Sequence, residues 1–280
     1  MVVAIPGLAA EVTSAQSTSE ASGLLAEVLE RGTLRVGNTQ ASPPWSLLDE
    51  NNEPAGYDVD VAHELARRLG IPEVEFIQGT FQNFIPGVQT GTFDMVIAGQ
   101  TITEERMQEV DFSLPYQVNG VAIFTRSDNT TIQGQDDLAG LRIAVSGGST
   151  QEDFARENIP DAQAQTYENA TLALRDVALG RADAALFSRY VGSYLAEQND
   201  LDVVPTDELL NSEVNAMSFA KGETAFKAAV DQAIVDMVED GTLTAISEEW
   251  LGGLDMAEEL TQLPAYASLL EASPIASPSP

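Results

Sequence analysis

Short runs of apolar residues alternate along the chain with longer stretches in which apolar residues recur every three or four positions. The first pattern predicts buried β-strands, and the second predicts amphipathic helices. Strands are predicted over residues 34–37, 74–77, 93–98, 141–145 and 182–187. Helices are predicted to begin near Asp58, Phe81, Thr150, Thr171 and Phe226. This alternation is typical of an α/β fold.

Residues 94–106 join a predicted buried strand to a helix through a loop rich in hydroxyl groups, and they end in Arg106. A guanidinium beside the Thr101 hydroxyl and free backbone N–H groups can hold a small carboxylate with two hydrogen bonds. Ligands of open α/β sheets lie beyond the carboxyl ends of the strands, where this segment falls. A surface ion pair of Arg106 with Glu109 or Asp111 is the alternative interpretation.

A second candidate site lies in residues 146–152, where Ser149 and Glu152 have the spacing of a capping box at a helix start. The glycines of this segment let the backbone approach a ligand closely, and a helix N-terminus attracts negative charge. Ser149 and Thr150 are therefore candidates to bind a carboxylate. A capped helix without any ligand explains the same residues, and the segment lacks the lysine of a Walker loop.

The composition excludes several classes of partner. The 280 residues include 44 acidic and 13 basic ones, and the formal net charge of -31 repels nucleic-acid phosphates and anionic membrane surfaces. The chain contains no cysteine, which excludes disulfides, thiol nucleophiles and cysteine-bound zinc. No run approaches the ~20 apolar residues that a membrane-spanning helix requires. We expect neither nucleic acid nor a cofactor or metal as a partner.

Catalytic residues are not predicted. His63 is the only histidine, and it lies on the predicted polar side of a helix, which indicates a solvated side chain. Adjacent acids such as Glu104 and Glu105 do not share one face of a helix, so they indicate surface charge.

Seven short segments occur in a specific order along the chain. They are Leu34-Arg35-Val36-Gly37, Pro43-Pro44-Trp45, Gly56-Tyr57-Asp58-Val59-Asp60, residues 98–106, residues 110–116, Gly148-Ser149-Thr150 and Asp240-Gly241-Thr242-Leu243. In this order and spacing, between about residues 32 and 253, they resemble the polar amino-acid-binding proteins of ABC importers, the family 3 extracellular solute-binding proteins.

The resemblance implies a fold: two α/β lobes joined by two crossing strands, the periplasmic-binding-protein fold of type II, with a ligand in the cleft and closure around it. The crossings are expected near residues 121–125 and 216–220. The expected boundaries are 33–123 with 220–253 for the first lobe, 124–219 for the second, and 1–32 and 254–280 for tails or tethers.

The resemblance also implies a function. The protein would be a periplasmic or extracellular receptor that captures a small carboxylate-bearing solute, an amino acid or a derivative, and presents it to an ABC permease. A monomer without enzymatic activity is expected, with a membrane tether in the full-length protein. A sensory ectodomain with the same ligand class and an enzyme similar to the cyclohexadienyl dehydratases are the alternatives.

The same resemblance assigns roles to residues of the two candidate sites. Arg106 matches the arginine that grips the ligand carboxylate, with help from Gly99 and Thr101. Ser149 and Thr150 would complete the carboxylate site from the second lobe.

Three positions depart from the family pattern. Ser188 stands where an aspartate usually receives the ligand ammonium, Thr39 where an aspartate is frequent, and Ser42 where an aromatic ring commonly packs on the ligand. A buried ammonium without a carboxylate is costly. Either another group such as Glu213 serves, or the ligand lacks a free primary ammonium.

Aromatic residues are also expected near the cleft, namely Trp45, Tyr57 and Phe187, with Tyr116 and Tyr190 as further candidates. They could surround the quaternary ammonium of a betaine-like ligand by cation–π contacts. Packing in the core is the alternative role of each ring.

Overall fold

A computed structural model of the protein describes residues 22–262. The strands in this range are β1 Thr33–Asn38, β2 Leu47–Leu48, β3 Pro54–Ala55, β4 Glu73–Gln78, β5 Met95–Thr101, β6 Asp111–Arg126, β7 Arg142–Ser146, β8 Gln163–Tyr167, β9 Ala184–Ser188 and β10 Val203–Phe219. The helices are α1 Leu24–Arg31, α2 Tyr57–Leu69, α3 Phe81–Gln89, α4 Glu104–Glu109, α5 Thr150–Asn158, α6 Ala170–Ala178, α7 Arg189–Gln198, α8 Thr224–Glu239, α9 Thr242–Trp250 and α10 Met256–Thr261. The predicted α/β alternation is confirmed. None of these helices is long and apolar enough to cross a membrane.

Eight strands form one mixed sheet in the order β4-β1-β5-β10-β6-β9-β7-β8. At one end β1 lies parallel between β4 and β5, and at the other β7 lies parallel between β8 and β9. We refer to the β4-β1-β5 side and the helices packed on it as the first lobe. The β9-β7-β8 side with α5, α6 and α7 is the second lobe.

The long strands β6 and β10 run antiparallel through the middle of the sheet and belong to both lobes. In β6, residues 121–124 already pair with β9 of the second lobe. In β10, residues 215–219 already pair with β5 of the first lobe. The chain therefore crosses just before residue 121 and just before residue 215, a few residues earlier than expected. The shift escapes the sequence pattern because β6 and β10 continue for 16 and 17 residues without a break.

Apolar helix faces cover the sheet and form its core. In the first lobe α2 buries Val61 and Leu65, and α8 buries Phe226 and Ile234. In the second lobe α6 buries Leu174 among other apolar residues. These residues recur at helical spacing, so the hydrophobic effect fixes which face of each helix meets the sheet.

The ordered fold extends into both segments that were expected to be tails. Val28 of α1 is fully buried, as are Met256 and Leu260 of α10. Residues 24–31 and 256–261 therefore belong to the packed structure, which corrects the expected boundaries at 32 and 254. The sequence did carry a signal for α1, since Leu24, Leu25 and Val28 lie on one helix face, whereas α10 has only 6 residues, too few for a clear apolar period. The rest of the expected tails, residues 1–21 and 263–280, lies outside the described residues.

Candidate functional site

A cavity lies between the two lobes, at the carboxyl ends of β5 and β7. Its lining includes Gly99, Thr101 and Arg106 from the first lobe, Ser149, Thr150 and Gln151 from the second, and Gln117, Asn119 and Glu213 from the crossing strands. The cavity has a volume of about 70 Å³. Since a water molecule needs roughly 10–15 Å³ on the same measure, the cavity suits a small solute.

Arg106 is placed at this cavity by the start of α4, where the Thr103 hydroxyl accepts a hydrogen bond from the Arg106 backbone N–H at 3.2 Å. The residue is only 9% exposed. Nη1 donates to the Thr101 carbonyl at 3.0 Å, and Nη2 donates across the lobes to the Gly148 carbonyl at 3.1 Å. The guanidinium is therefore held by neutral carbonyl groups of both lobes. The alternative of an exposed ion pair with Glu109 or Asp111 is wrong.

Burial lowers the pKa of Arg106 from its usual value, while the nearby charge of Glu213 opposes that shift. An arginine side chain stays charged in a folded protein even when it is buried. The cavity wall thus carries a buried positive charge.

Gly99 and Thr101 are tied to the neighbouring strands. The Gly99 N–H donates to the Tyr116 hydroxyl at 3.0 Å. The amide of Asn215 donates to the Gly99 carbonyl at 2.8 Å and to the Thr101 hydroxyl oxygen at 3.1 Å. The end of β5 is therefore held in place by these hydrogen bonds, and the Gly99 N–H is not free to bind a ligand.

Ser149 is fully engaged in the predicted helix cap. Its hydroxyl donates to the Ser146 carbonyl at 2.7 Å and accepts from the Glu152 N–H at 3.2 Å. Glu152 completes the cap by accepting from the Gly148 N–H at 2.8 Å. The hydroxyl of Ser149 therefore lines the cavity without a spare donor. The backbone N–H groups of Thr150 and Gln151, which precede the first hydrogen bond within the helix, remain to meet a ligand from this side, because the Thr150 hydroxyl donates to Glu213.

Glu213 brings a buried carboxylate to the same cavity. One oxygen accepts from the Thr150 hydroxyl, and the other accepts from the Gln151 amide at 2.9 Å. Burial raises the pKa of Glu213, and hydrogen bonds from Thr150, Thr101 and Gln151 together with the charge of Arg106 act against the rise. The carboxylate of a crossing strand is thus clamped by the first turn of a second-lobe helix.

Polar residues alternate with valines on the two crossing strands beneath the cavity, and three of them, Gln117, Asn119 and Glu213, line it. Gln117 and Asn119 flank Val118, and Glu213 and Asn215 flank Val214. Asn119 lies directly opposite Glu213, and Gln117 opposite Asn215. Alternate residues of a strand share one face, so these side chains point to the same side. The polar-valine-polar alternation was the available sequence signal for these residues; of the four, only Glu213 was predicted, and only as a substitute for the missing aspartate.

Ser188 is the last residue of β9 and the N-cap of α7, lies at the cavity and carries no charge. Its hydroxyl donates to Asn119 Oδ1 at 2.7 Å and lies 3.5 Å from the indole nitrogen of Trp45. Ser42 also lines the cavity, whereas Thr39 is absent from the described lining and pairs its hydroxyl with Ser46 at 2.8 Å.

Three aromatic rings line the cavity: Trp45, Phe187 and Phe81, of which Phe81 was not predicted. Phe81 is the first residue of α3, and its apolar spacing indicated only a core position. Tyr57 is fully buried and donates its hydroxyl to the Tyr116 carbonyl at 2.6 Å. It packs edge-on against Trp45 with ring centroids 5.5 Å apart, and Tyr190 does the same. The structure therefore places Tyr57 in the core and not in the cavity lining.

Asp58 is the third charged residue of the lining, after Arg106 and Glu213. The sequence predicted it only as the start of a helix within one of the family segments. It is 1% exposed, and burial raises its pKa to about 7. The Tyr116 hydroxyl donates to Asp58 Oδ1 at 2.8 Å, while Oδ2 has no hydrogen-bond partner among the described residues. A chain of hydrogen bonds thus leads from the Gly99 N–H through Tyr116 to Asp58.

Known proteins share this architecture and sequence. The model of the bacterial extracellular solute-binding proteins, family 3, matches residues 34–253. The L-cystine-binding protein TcyJ of Escherichia coli (strain K12) is 32% identical over 231 residues, which cover 82% of this chain and 86% of that protein. The putative amino-acid ABC transporter-binding protein PatH of Vibrio harveyi is 31% identical over 221 residues, 78% of this chain and 88% of that protein.

A solved structure is similar over nearly its whole length. The ancestral amino acid-binding protein AncCDT-1, a precursor of cyclohexadienyl dehydratase, matches with a TM-score of 0.75 and 37% identity. The match covers 81% of this chain and 99% of that one.

Proposed function

Because this chain belongs to the bacterial extracellular solute-binding proteins of family 3, we propose that it captures an amino acid or a derivative and delivers it to the permease of an ABC importer. The names of the relatives support this ligand class and this partner. TcyJ is named for binding L-cystine, and PatH for binding an amino acid for an ABC transporter.

The buried guanidinium of Arg106 is the observation that carries the proposal. It lines the cavity in a protein that is otherwise strongly acidic. A guanidinium has five N–H donors, of which the carbonyls of Thr101 and Gly148 account for two. The remaining donors can bind a carboxylate, and the contact is strong because both partners are charged and shielded from water.

Ligand contacts on both lobes would stabilise the closed arrangement. Arg106 approaches from the first lobe, and Thr150 with the N-terminus of α5 approaches from the second. A solute that touches both walls has a higher affinity for the closed form than for an open one, so its binding shifts the population towards closure. A permease that recognises the closed form then receives loaded protein.

Arg106→Lys tests the carboxylate site. A lysine keeps the charge but loses the planar pair of donors, so we expect binding of amino acids to weaken about 10- to 100-fold. Thermal-shift screening of the common L-amino acids identifies binders, and calorimetry gives their affinities. Arg67→Lys is the matched control, because Arg67 is exposed and pairs with Glu64 away from the cavity. Unchanged affinity in the Arg106 variant would refute the proposal.

We propose binding without turnover. The relative AncCDT-1 is described as a precursor of a dehydratase and is itself an amino acid-binding protein. Incubation of the purified protein with prephenate or arogenate, followed by chromatography, tests this point. Product formation above the spontaneous rate would assign an enzymatic activity.

We also propose that the protein acts as a monomer outside the cytoplasmic membrane, with a tether in the full-length form. Light scattering during size exclusion checks the monomer. A dimer that persists at low micromolar concentration would correct it.

A further inference from the structure

We propose that Glu213 binds the cationic nitrogen of the ligand, so that the cavity selects solutes that carry a positive group beside their carboxylate. This inference rests on the proposed function and specifies the substrate class of the same site. It assigns the ligand as a free amino acid with its ammonium group, rather than a keto acid or another simple carboxylate.

The charges of the cavity lining support this assignment. The charged residues of the lining, within the described part of the chain, are Asp58, Arg106 and Glu213. No ion pair joins Arg106 to Glu213 within 4.0 Å, since the guanidinium donates to backbone carbonyls and the carboxylate accepts from Thr150 and Gln151. A positive and a negative group thus line one small space without contacting each other directly. A zwitterion complements both charges.

Asp58 is a poor candidate for the same task. It is 1% exposed, against 8% for Glu213, and its unpartnered oxygen has almost no accessible surface. Its other oxygen already accepts from the Tyr116 hydroxyl. A ligand nitrogen would have to displace packed side chains to reach it.

Ser188 cannot supply a counter-charge either. The side chain is neutral, and its hydroxyl proton is donated to Asn119 at 2.7 Å. Asn119 lies directly opposite Glu213 on the neighbouring strand, so Ser188, Asn119 and Glu213 form one polar floor. Within that floor Glu213 carries the negative charge.

Glu213 can accept a further donor while it keeps its present partners. An ionised carboxylate offers about four acceptor positions, and hydrogen bonds from Thr150, Gln151 and Thr101 leave one of them for a ligand. Thr150 and Gln151 belong to the first turn of α5. A ligand ammonium would therefore bind the Glu213 carboxylate that also accepts the hydrogen bonds of the second lobe in the closed form.

The test compares each amino acid with its analogue that lacks the α-amino group, for example L-glutamine with glutaramic acid. In the unchanged protein we expect the amino acid to bind at least about 10-fold more tightly. In Glu213→Gln, which preserves shape and removes the charge, affinity for the amino acid should fall about 10- to 100-fold. Affinity for the analogue should stay within about threefold, because that molecule has no ammonium to lose.

Two further variants keep the result interpretable. Glu157→Gln removes one charge from the exposed side of α5 and should change neither affinity. Glu213→Asp retains the charge and should retain the preference for the amino acid even if both ligands bind less tightly. Thermal unfolding of each variant confirms that it folds.

The outcomes separate the two proposals. Equal losses for both molecules in Glu213→Gln, or no loss, would overturn the role of Glu213 while binding through Arg106 stands. A gain in affinity would show that Glu213 instead competes with the ligand carboxylate, which also overturns it. If no amino acid binds the unchanged protein, the proposed function itself fails.

Discussion

Asp58 keeps its carboxyl group inside the protein with a hydrogen bond on only one oxygen among the described residues. Burial raises its pKa from 3.8 to about 7. In the unfolded chain the same group would release its proton near pH 4. The folded state therefore binds this proton more tightly than the unfolded state, and stability falls as the pH rises between these two values.

Asp58→Asn should remove this pH dependence. Between pH 4 and pH 7 the unfolding free energy of the variant should rise relative to the unchanged protein by up to about 4 kcal/mol, the energy equivalent of a shift of about three pKa units. Denaturant unfolding at several pH values measures the difference. A difference in unfolding free energy that is the same at every pH reflects the new amide and says nothing about the pKa. A difference that stays flat across this range would contradict the raised pKa.

At the scale of single residues, the sequence locates the cavity better than it describes the chemistry. Arg106 is found because a strand end, a hydroxyl-rich loop and one arginine coincide. Ser149 shows the limit, since its spacing to Glu152 predicts the cap but not that the cap uses both functions of the hydroxyl. Tyr57 and Phe81 show another limit. Both are aromatic residues at helix starts, and only tertiary packing decides which one reaches the cavity.

At the scale of elements, the loop before α5 meets the first lobe at very close range. Gly148 has φ +73°, and a Cβ there would lie 3.0 Å from the backbone nitrogen and 3.1 Å from the Cα of Gln82. Backbone atoms of α3 cannot yield easily. The absence of a side chain at this position is what lets the two lobes approach each other.

Gly148→Ala should therefore hinder closure. We expect amino-acid affinity to fall about tenfold or more, because the closed form gains a clash that an open form lacks. The backbone strain of roughly 1–2 kcal/mol is common to both forms and lowers stability instead. Calorimetry measures the affinity, and small-angle X-ray scattering with ligand reports whether the lobes still close.

Two glycines provide controls for this variant. Gly140 has the same φ of +73° with nothing within 4 Å, so Gly140→Ala reproduces the strain alone. At Gly147 the nearest atom is the flexible end of the Gln82 side chain, so Gly147→Ala should be tolerated better. Equal affinities of Gly148→Ala and Gly140→Ala would show that the contact between lobes is unimportant.

The hydrophobic pattern predicts helices and strands that are long enough to show several repeats of apolar positions. The helix expected from Thr150 is α5, and the helix expected from Thr171 begins one residue earlier as α6. The crossing strands are harder to predict from this pattern. β6 and β10 run through both lobes, and their successive side chains face the core and the cavity alternately. Their positions came only from the family resemblance, and the structure moves the crossings by a few residues.

At the scale of the whole molecule, the net charge of -31 opposes compact folding through repulsion among carboxylates. Dissolved salt screens this repulsion, with a Debye length of about 30 Å at 0.01 M and about 10 Å at 0.1 M. Repulsion between distant surface acids should therefore fade over this range.

Added salt should stabilise the protein. Between 0.01 M and 0.5 M NaCl we expect the unfolding temperature to rise by several degrees, since about 1 kcal/mol corresponds to roughly 2–4 °C for a domain of this size. Differential scanning calorimetry measures the shift. KCl at equal ionic strength is the control, because screening does not depend on the cation. A fall in the unfolding temperature would contradict the role of repulsion.

The strands β6 and β10 have a mechanical consequence. When two lobes rotate about the strands that join them, residues on those strands move little and residues far from them move a long way. Gln117, Asn119 and Glu213 lie on the axis, whereas Thr150 lies on the lobe that would rotate. A solute would therefore contact residues that hardly move before the second lobe closes on it, so the protein would select its ligand before it closes.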